Sequence, residues 1–267
     1  MEGISYVDEG EGPVALFVHG VGTSSYLWRN VIAELRGERR CVAIDLPLHG
    51  GSASREDLSI PALAESIEEL CEGLGLDQVD LVANDTGGAA AQVFAVRHTK
   101  RLRSLTLTNC DVHTNTPPEA FKATVELAKT GQLAGLTATL LDQPELLAQT
   151  AFGDGYQRMD DPADLVAHFI RPILDKPDGP KAFERLLASI DAKYMVEIEP
   201  QLTVLAVPTL VVWGNDDPFF GIEWAHWLRD TIPGVKEVVE IEGGKLFFPD
   251  ERAGDLVPHL RRFWGSI

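Results

Sequence analysis

Apolar residues in this chain come in short runs, set between longer stretches with a helical rhythm. Val14–His19, Arg40–Asp45, Val79–Asp85, Leu102–Asn109, Thr209–Trp213 and Lys236–Ile241 are rich in Val, Leu and Ile, and most show no polar alternation. Such runs predict strands covered on both faces of a parallel sheet. Tyr6 and its neighbours suggest an added edge strand. Between the runs, Ser59 and Pro61 mark a helix start, and Leu63, Ile67, Leu70, Cys71 and Leu74 then recur on one face. Gly87–Lys100 begins with small apolar residues, which suits a helix pressed against the sheet. Leu256, Leu260, Phe263 and Trp264 form a last stripe, and Pro258 is expected to kink it. Strands alternating with helices predict a mostly parallel, doubly wound α/β sheet.

The alternation stops between Asn109 and Val207. That span reads as helices over about Pro118–Thr130, Leu133–Ala151, Pro162–Asp175 and Lys181–Asp191, with punctuation at Gly153, Gly155, Pro177, Gly179 and Pro180. It predicts a helical insert between two sheet strands. An insert leaving the C-terminal end of a strand lies over the ligand-binding edge of such a sheet, so it is expected to act as a lid. The expected division is a core of residues 1–111 and 206–267 and a helical cap of residues 112–205.

Composition narrows the partners. The 267 residues are 45% hydrophobic and 24% charged, the mix of a globular protein with a large core. Asp and Glu number 41 against 23 Lys and Arg, a formal charge of −18. That sign argues against nucleic acid or an anionic membrane as the main partner, and most of it is expected to be a solubility surface. Cys41, Cys71 and Cys110 have no zinc or redox spacing, and a sparse, odd count fits a reducing, cytoplasmic setting. Met1–Gly10 is acidic and does not read as a signal peptide, and no apolar run is long enough to span a membrane. The expected partner is a small-molecule substrate, for a monomer or homodimer without metal or organic cofactor.

The chemistry concentrates at strand ends. Ala83-Asn84-Asp85-Thr86-Gly87-Gly88 closes one predicted strand and opens a helix. This is the pattern of a nucleophile elbow with an acid in place of serine, and it needs small residues at Ala83 and Gly87. Asp85 could instead cap the helix. His19-Gly20-Val21-Gly22-Thr23 follows another strand, and its turn can aim N–H groups into the site, so Val21 and Thr86 are the expected oxyanion donors. His19 reads as a structural hydrogen-bonder there. Asp217, in Trp213-Gly214-Asn215-Asp216-Asp217-Pro218-Phe219, could orient a base, and Asp111 is a second candidate.

On these residues, with Trp28, Asp45-Leu46-Pro47 and His49-Gly50, nearly the whole chain resembles the α/β-hydrolase superfamily, a mostly parallel central sheet flanked by helices. The aspartate elbow resembles the branch of haloalkane dehalogenases and epoxide hydrolases. In that branch the resemblance implies a carboxylate that attacks carbon and a histidine that activates water to hydrolyse the resulting ester. Gly20 and Trp28 would belong to the substrate side of the site.

The resemblance breaks where the histidine should follow the last strand. There the sequence reads Gly243-Gly244-Lys245-Leu246-Phe247-Phe248-Pro249-Asp250-Glu251, which puts Leu246, or with a slip of one residue Lys245, in its place. His113 is the substitute base suggested by position, and a deprotonated Lys245 is the other. His226, between Trp224 and Trp227, reads as packing. Thr86 and Val21 stand where dehalogenases hold the halide with tryptophan and asparagine. Gly22 stands where epoxide hydrolases have proline, and Tyr156 and Tyr194 are the candidates for their acid tyrosines. Three readings follow. The first is a hydrolase of an epoxide, ester, lactone or alkyl halide using Asp85. The second is a lyase, isomerase or cyclase using Asp85 as acid or base, with repulsion among Asp85, Asp111, Asp216 and Asp217 raising the pKa of at least one of them. The third is an inactive ligand-binding relative.

Overall fold

The computed structural model describes residues 3–267. Met1 and Glu2, where the acidic N-terminal stretch begins, lie outside the described residues. Strands β1 (Tyr6–Glu9), β2 (Val14–Val18), β3 (Arg40–Ile44), β4 (Val79–Asp85), β5 (Leu102–Cys110), β6 (Thr209–Gly214) and β7 (Val235–Ile241) form one sheet in the order β1-β3-β2-β4-β5-β6-β7. Only β1 runs antiparallel, as the edge strand around Tyr6, paired to β3. The other ladders are parallel, with Leu16 opposite both Val42 and Leu81, and Leu107 opposite Val211. Each run read as a strand is one, within a residue or two at the ends. Every residue of β4 is buried, as a strand covered on both faces demands. In β7, by contrast, Lys236, Glu237 and Glu240 are exposed because it is the sheet's other edge.

Helices α1 (Arg29–Leu35), α2 (Ile60–Leu74) and α3 (Thr86–Arg97) connect the early strands. The predicted stripe of α2 is its buried side at Leu63, Ile67, Leu70 and Cys71. Gly75 ends that helix in the left-handed conformation and returns its N–H to the Cys71 and Glu72 carbonyls. The ten buried residues at the start of α3 let it press against the sheet.

Between β5 and β6 the described chain holds helices and loops: α4 (Lys122–Lys129), α5 (Leu133–Leu140), α6 (Pro144–Phe152), α7 (Pro162–Leu165), α8 (Arg171–Leu174), α9 (Gly179–Ala188), α10 (Lys193–Glu197) and α11 (Glu199–Leu202). The single helix expected over Leu133–Ala151 is two, because Pro144 forces Gln143 out of the helical region, to ψ 70°. The helix expected over Pro162–Asp175 contains a wider π turn at Val166–Ile170. The short α10 and α11 carry no stripe long enough to have been read. After β6 come α12 (Ile222–Thr231), α13 (Phe248–Glu251) and α14 (Ala253–Trp264), and α14 continues through Pro258. Among the described residues no helix is long and apolar enough to cross a membrane.

Candidate active site

Asp85 is the last residue of β4, and α3 starts at the next residue. Its backbone sits at φ 56°, ψ −139°, a strained conformation for a residue with a β-carbon. The side chain makes no capping bond to α3, so the helix-cap reading does not describe it. The turn is possible because its neighbours are small. A β-carbon on Gly87 would run into the His19 carbonyl, and one on Gly20 would run into the Asp85 carboxylate.

The loop after β2 is braced by two buried histidines. His19 Nε2 accepts the Leu46 N–H at 3.0 Å, so its Nδ1–H donates to the Gly20 carbonyl at 2.7 Å. His49 Nε2 accepts the Gly22 N–H at 3.2 Å. Burial drives the His19 pKa down to about 4 and that of His49 well below its ordinary value, which keeps both rings neutral for these roles. His19 is thus a structural hydrogen-bonder. The loop sets the Val21 N–H beside Asp85, together with the Thr86 N–H from the start of α3.

Three carboxylates gather behind this turn. Burial first, then the charge of Asp111, pushes Asp85 well above the ordinary carboxylate range, and Asp217 adds to the push. The Thr86 and Val21 N–H groups pull it back in part. Asp111, immediately after β5, is pushed up to about 7 by burial, against the pull of the Thr86 and Thr116 hydroxyls. Thr86 Oγ1 donates to Asp111 Oδ2 at 2.8 Å. Asp217 is also raised to about 7 by burial. Its Oδ2 accepts from Asn109 at 2.7 Å and its Oδ1 from the Phe219 N–H at 2.8 Å, with Lys245 close enough to lower it slightly. Asp216 is exposed and stands apart from the group.

A cavity of about 50 Å³ opens on Asp85, Asp111, Val21 and Thr86. Its other walls are apolar: Pro117, Pro118, Phe121, Ala151 and Ile190 from the segment between β5 and β6, and Phe219, Phe220, Leu246 and Phe247 from the loops after β6 and β7. Leu246 faces this space, while Lys245 is not among its lining residues.

Several candidate residues lie elsewhere. His113 hydrogen-bonds Glu199 at 3.1 Å and stacks on Trp227, outside the cavity lining, because its left-handed backbone (φ 47°) turns it towards α11 and α12. Tyr156 donates to Asp250 at 2.8 Å and packs on Phe247, while Tyr194 lies under the Lys193 ammonium. Neither tyrosine lines the cavity, so they do not converge on Asp85. Trp28 is wholly buried against Phe17 as core. His226 is partly exposed, 4.0 Å from Glu240, and is not a packing residue. The phenylalanines and prolines of the cavity wall went unread in the sequence. Their signal was position, since Pro117, Pro118, Phe219 and Phe220 each follow a strand's C-terminal end by five to eight residues.

Comparison with known proteins agrees with this architecture. The family described as alpha/beta hydrolase fold matches residues 13–252. Epoxide hydrolase 3 of Xenopus tropicalis is 28% identical over 240 residues, covering 80% of this chain and 61% of that protein. A haloalkane dehalogenase of Sphingobium indicum is 40% identical over 109 residues, 38% of this chain and 36% of that one. A solved alpha/beta hydrolase fold protein from Burkholderia ambifaria superposes with a TM-score of 0.85 at 23% identity, over 96% of this chain and 93% of its own. With a match across most of its length and a parallel sheet turning into α3 at Asp85, the chain belongs to the α/β-hydrolase fold family.

Proposed function

We propose that the protein hydrolyses a small, mainly apolar epoxide, with Asp85 as nucleophile and Asp111 as the acid and base. The observation that carries this reading is that both carboxylates line one apolar cavity, with Leu246 in its wall. Helices α4, α6 and α9 and the loops beside them would serve as the cap over it. Mutual repulsion of two buried carboxylates favours a state in which one holds a proton and the other is charged. The mechanism needs the charge on Asp85, which the Val21 and Thr86 N–H groups favour against burial and the charge of Asp111, and the proton on Asp111.

An oxygen of Asp85 attacks a ring carbon, the carbon–oxygen bond breaks, and the ring oxygen takes the proton of Asp111. This gives a hydroxyalkyl ester on Asp85 and a carboxylate on Asp111. Asp111 then takes a proton from water, whose oxygen adds to the ester carbonyl. The Val21 and Thr86 N–H groups would hold the resulting oxyanion. Collapse expels the diol oxygen, which recovers the proton from Asp111 and leaves the second proton of the water on Asp85. Transfer of that proton from Asp85 to Asp111 returns both groups to their starting state. One carboxyl group thereby does the work that the family divides between an acid and a histidine. The epoxide hydrolase relative supports the substrate class, and the misplaced Tyr156 and Tyr194 support a carboxyl acid.

Turnover of propylene oxide in heavy-oxygen water tests this. The label is expected in Asp85 from the first turnover and in the diol only after repeated turnover, with no activity in Asp85→Asn. Asp111→Asn should slow kcat by about 100-fold or more. Turnover without label from water would instead establish a proton-transfer reaction such as isomerisation.

A further inference from the structure

The two oxygens of Asp111 are not equivalent. Oδ2 is fixed by the Thr86 hydroxyl at 2.8 Å. Oδ1 is buried and has no hydrogen-bond partner, and neither has the hydroxyl of Thr116. Both residues are almost fully buried, at 1% and 2% exposure. Thr116 lies close enough to stabilise the charged form of Asp111 without a well-formed bond to it. Polar atoms so deeply buried are paired in folded proteins as a rule, with protein or with water.

The intervening chain keeps the two together. Asn115 N–H donates to the Val112 carbonyl at 2.9 Å, closing a turn. The Asn115 side chain ties that turn to the Phe219 carbonyl at 3.2 Å, and His113 anchors its outer side on Glu199 and Trp227. Pro117 and Pro118, the next residues, line the cavity beside Asp111. Thr116 thus immediately precedes the two prolines of the cavity wall, with its unpartnered hydroxyl near Asp111.

We propose that Asp111 Oδ1 and the Thr116 hydroxyl together hold the water that hydrolyses the Asp85 ester. Water can donate one hydrogen to Oδ1 while accepting the Thr116 O–H, which leaves a lone pair for the ester carbonyl and fixes which oxygen of Asp111 takes the proton. Thr116 is a positioning residue, acting through the water and Asp111. The assignment rests on the Asp85–Asp111 reading, and the two can be separated. Alkylation of Asp85 does not use this water, whereas hydrolysis of the ester does.

The experiment is rapid-quench intact mass on wild type, Thr116→Val and Thr116→Ser with propylene oxide, alongside steady-state kinetics. In Thr116→Val the ester should form within about twofold of the wild-type rate but decay roughly 10- to 100-fold more slowly. Then kcat falls, kcat/KM is nearly kept, and the ester accumulates. Loss of the hydroxyl should also move the pH at which ester decay is half-maximal upwards, since that hydroxyl favours the charged form of Asp111. Thr116→Ser should restore both. Equal slowing of the two steps, an unshifted pH profile or failure of serine to rescue would overturn the assignment while leaving the Asp85 ester standing. Absence of any ester in wild type would overturn the Asp85–Asp111 reading and this one with it.

Discussion

Asp85, Asp111 and Asp217 share one physical condition. Each is buried enough for the neutral form to be favoured, and each is held above the ordinary carboxylate range, Asp111 and Asp217 at about 7. Such groups bind protons in the folded state that the unfolded chain has already released above about pH 4. Their contribution to stability is therefore complete at low pH and is lost as pH rises towards about 7, at up to about 1.4 kcal/mol per pH unit for each proton involved. The midpoint of urea unfolding should fall between about pH 4 and about pH 7, and Asp111→Asn, which keeps a partner for Thr86 but cannot titrate, should flatten that slope. A slope unchanged by the substitution would remove Asp111 from the titrating set. At this scale the sequence showed which acids stand at strand ends, but not which of them are paired. Asp111 and Asp216 look alike as letters. One is buried beside Asp85 and the other is exposed, because the turn after β6 points only Asp217 inward. His113 was misjudged for the same reason, since a left-handed backbone angle decides where its ring points.

The elements were more legible than the residues. The runs of β2 to β6 lack polar alternation because helices cover the sheet, and burial of that kind leaves a direct trace in composition. The breaks within the segment between β5 and β6 were harder, since short helices such as α10 and α11 depend on packing rather than on their own periodicity. The turn from β4 to α3 is the element on which the site depends, and its constraint is steric. The small residue at Gly87 was expected from the elbow pattern, and the His19 carbonyl behind it supplies the reason. Gly87→Ala must push α3 away from the loop that carries Val21, since backbone on both sides cannot yield as a flexible side chain can. It should cost about 1–3 kcal/mol, a visible drop in Tm, and should slow ester hydrolysis more than a surface substitution on α3 of equal stability cost. A variant that melts like wild type would mean that the approach between α3 and the β2 loop is looser than this.

The molecule as a whole sets a size limit on what can react. The cavity measures about 50 Å³, and its roof comes from Phe121, Ala151 and Ile190, distant in sequence from the carboxylates beneath. An engineered cavity of about 150 Å³ in another protein is enough for benzene, so this one has room only for the smallest epoxides. The walls are apolar apart from Asp85, Asp111, Thr86 and nearby backbone, and the Thr86 hydroxyl is already committed to Asp111, so a charged substituent would be stranded without a partner. Propylene oxide should therefore be preferred over styrene oxide by about 10-fold or more in kcat/KM. Leu246 is the wall residue to change, because it is large, buried and lines the cavity beside the carboxylates. Leu246→Ala should cost about 2–4 kcal/mol of stability and shift that ratio towards styrene oxide by about 10-fold. The gain should appear in kcat/KM for the larger substrate, with propylene oxide losing activity because it no longer touches the wall that presses it on Asp85. If wild type accepts styrene oxide as readily as propylene oxide, the roof opens during turnover, and residues beyond Leu246 set the size of the substrate.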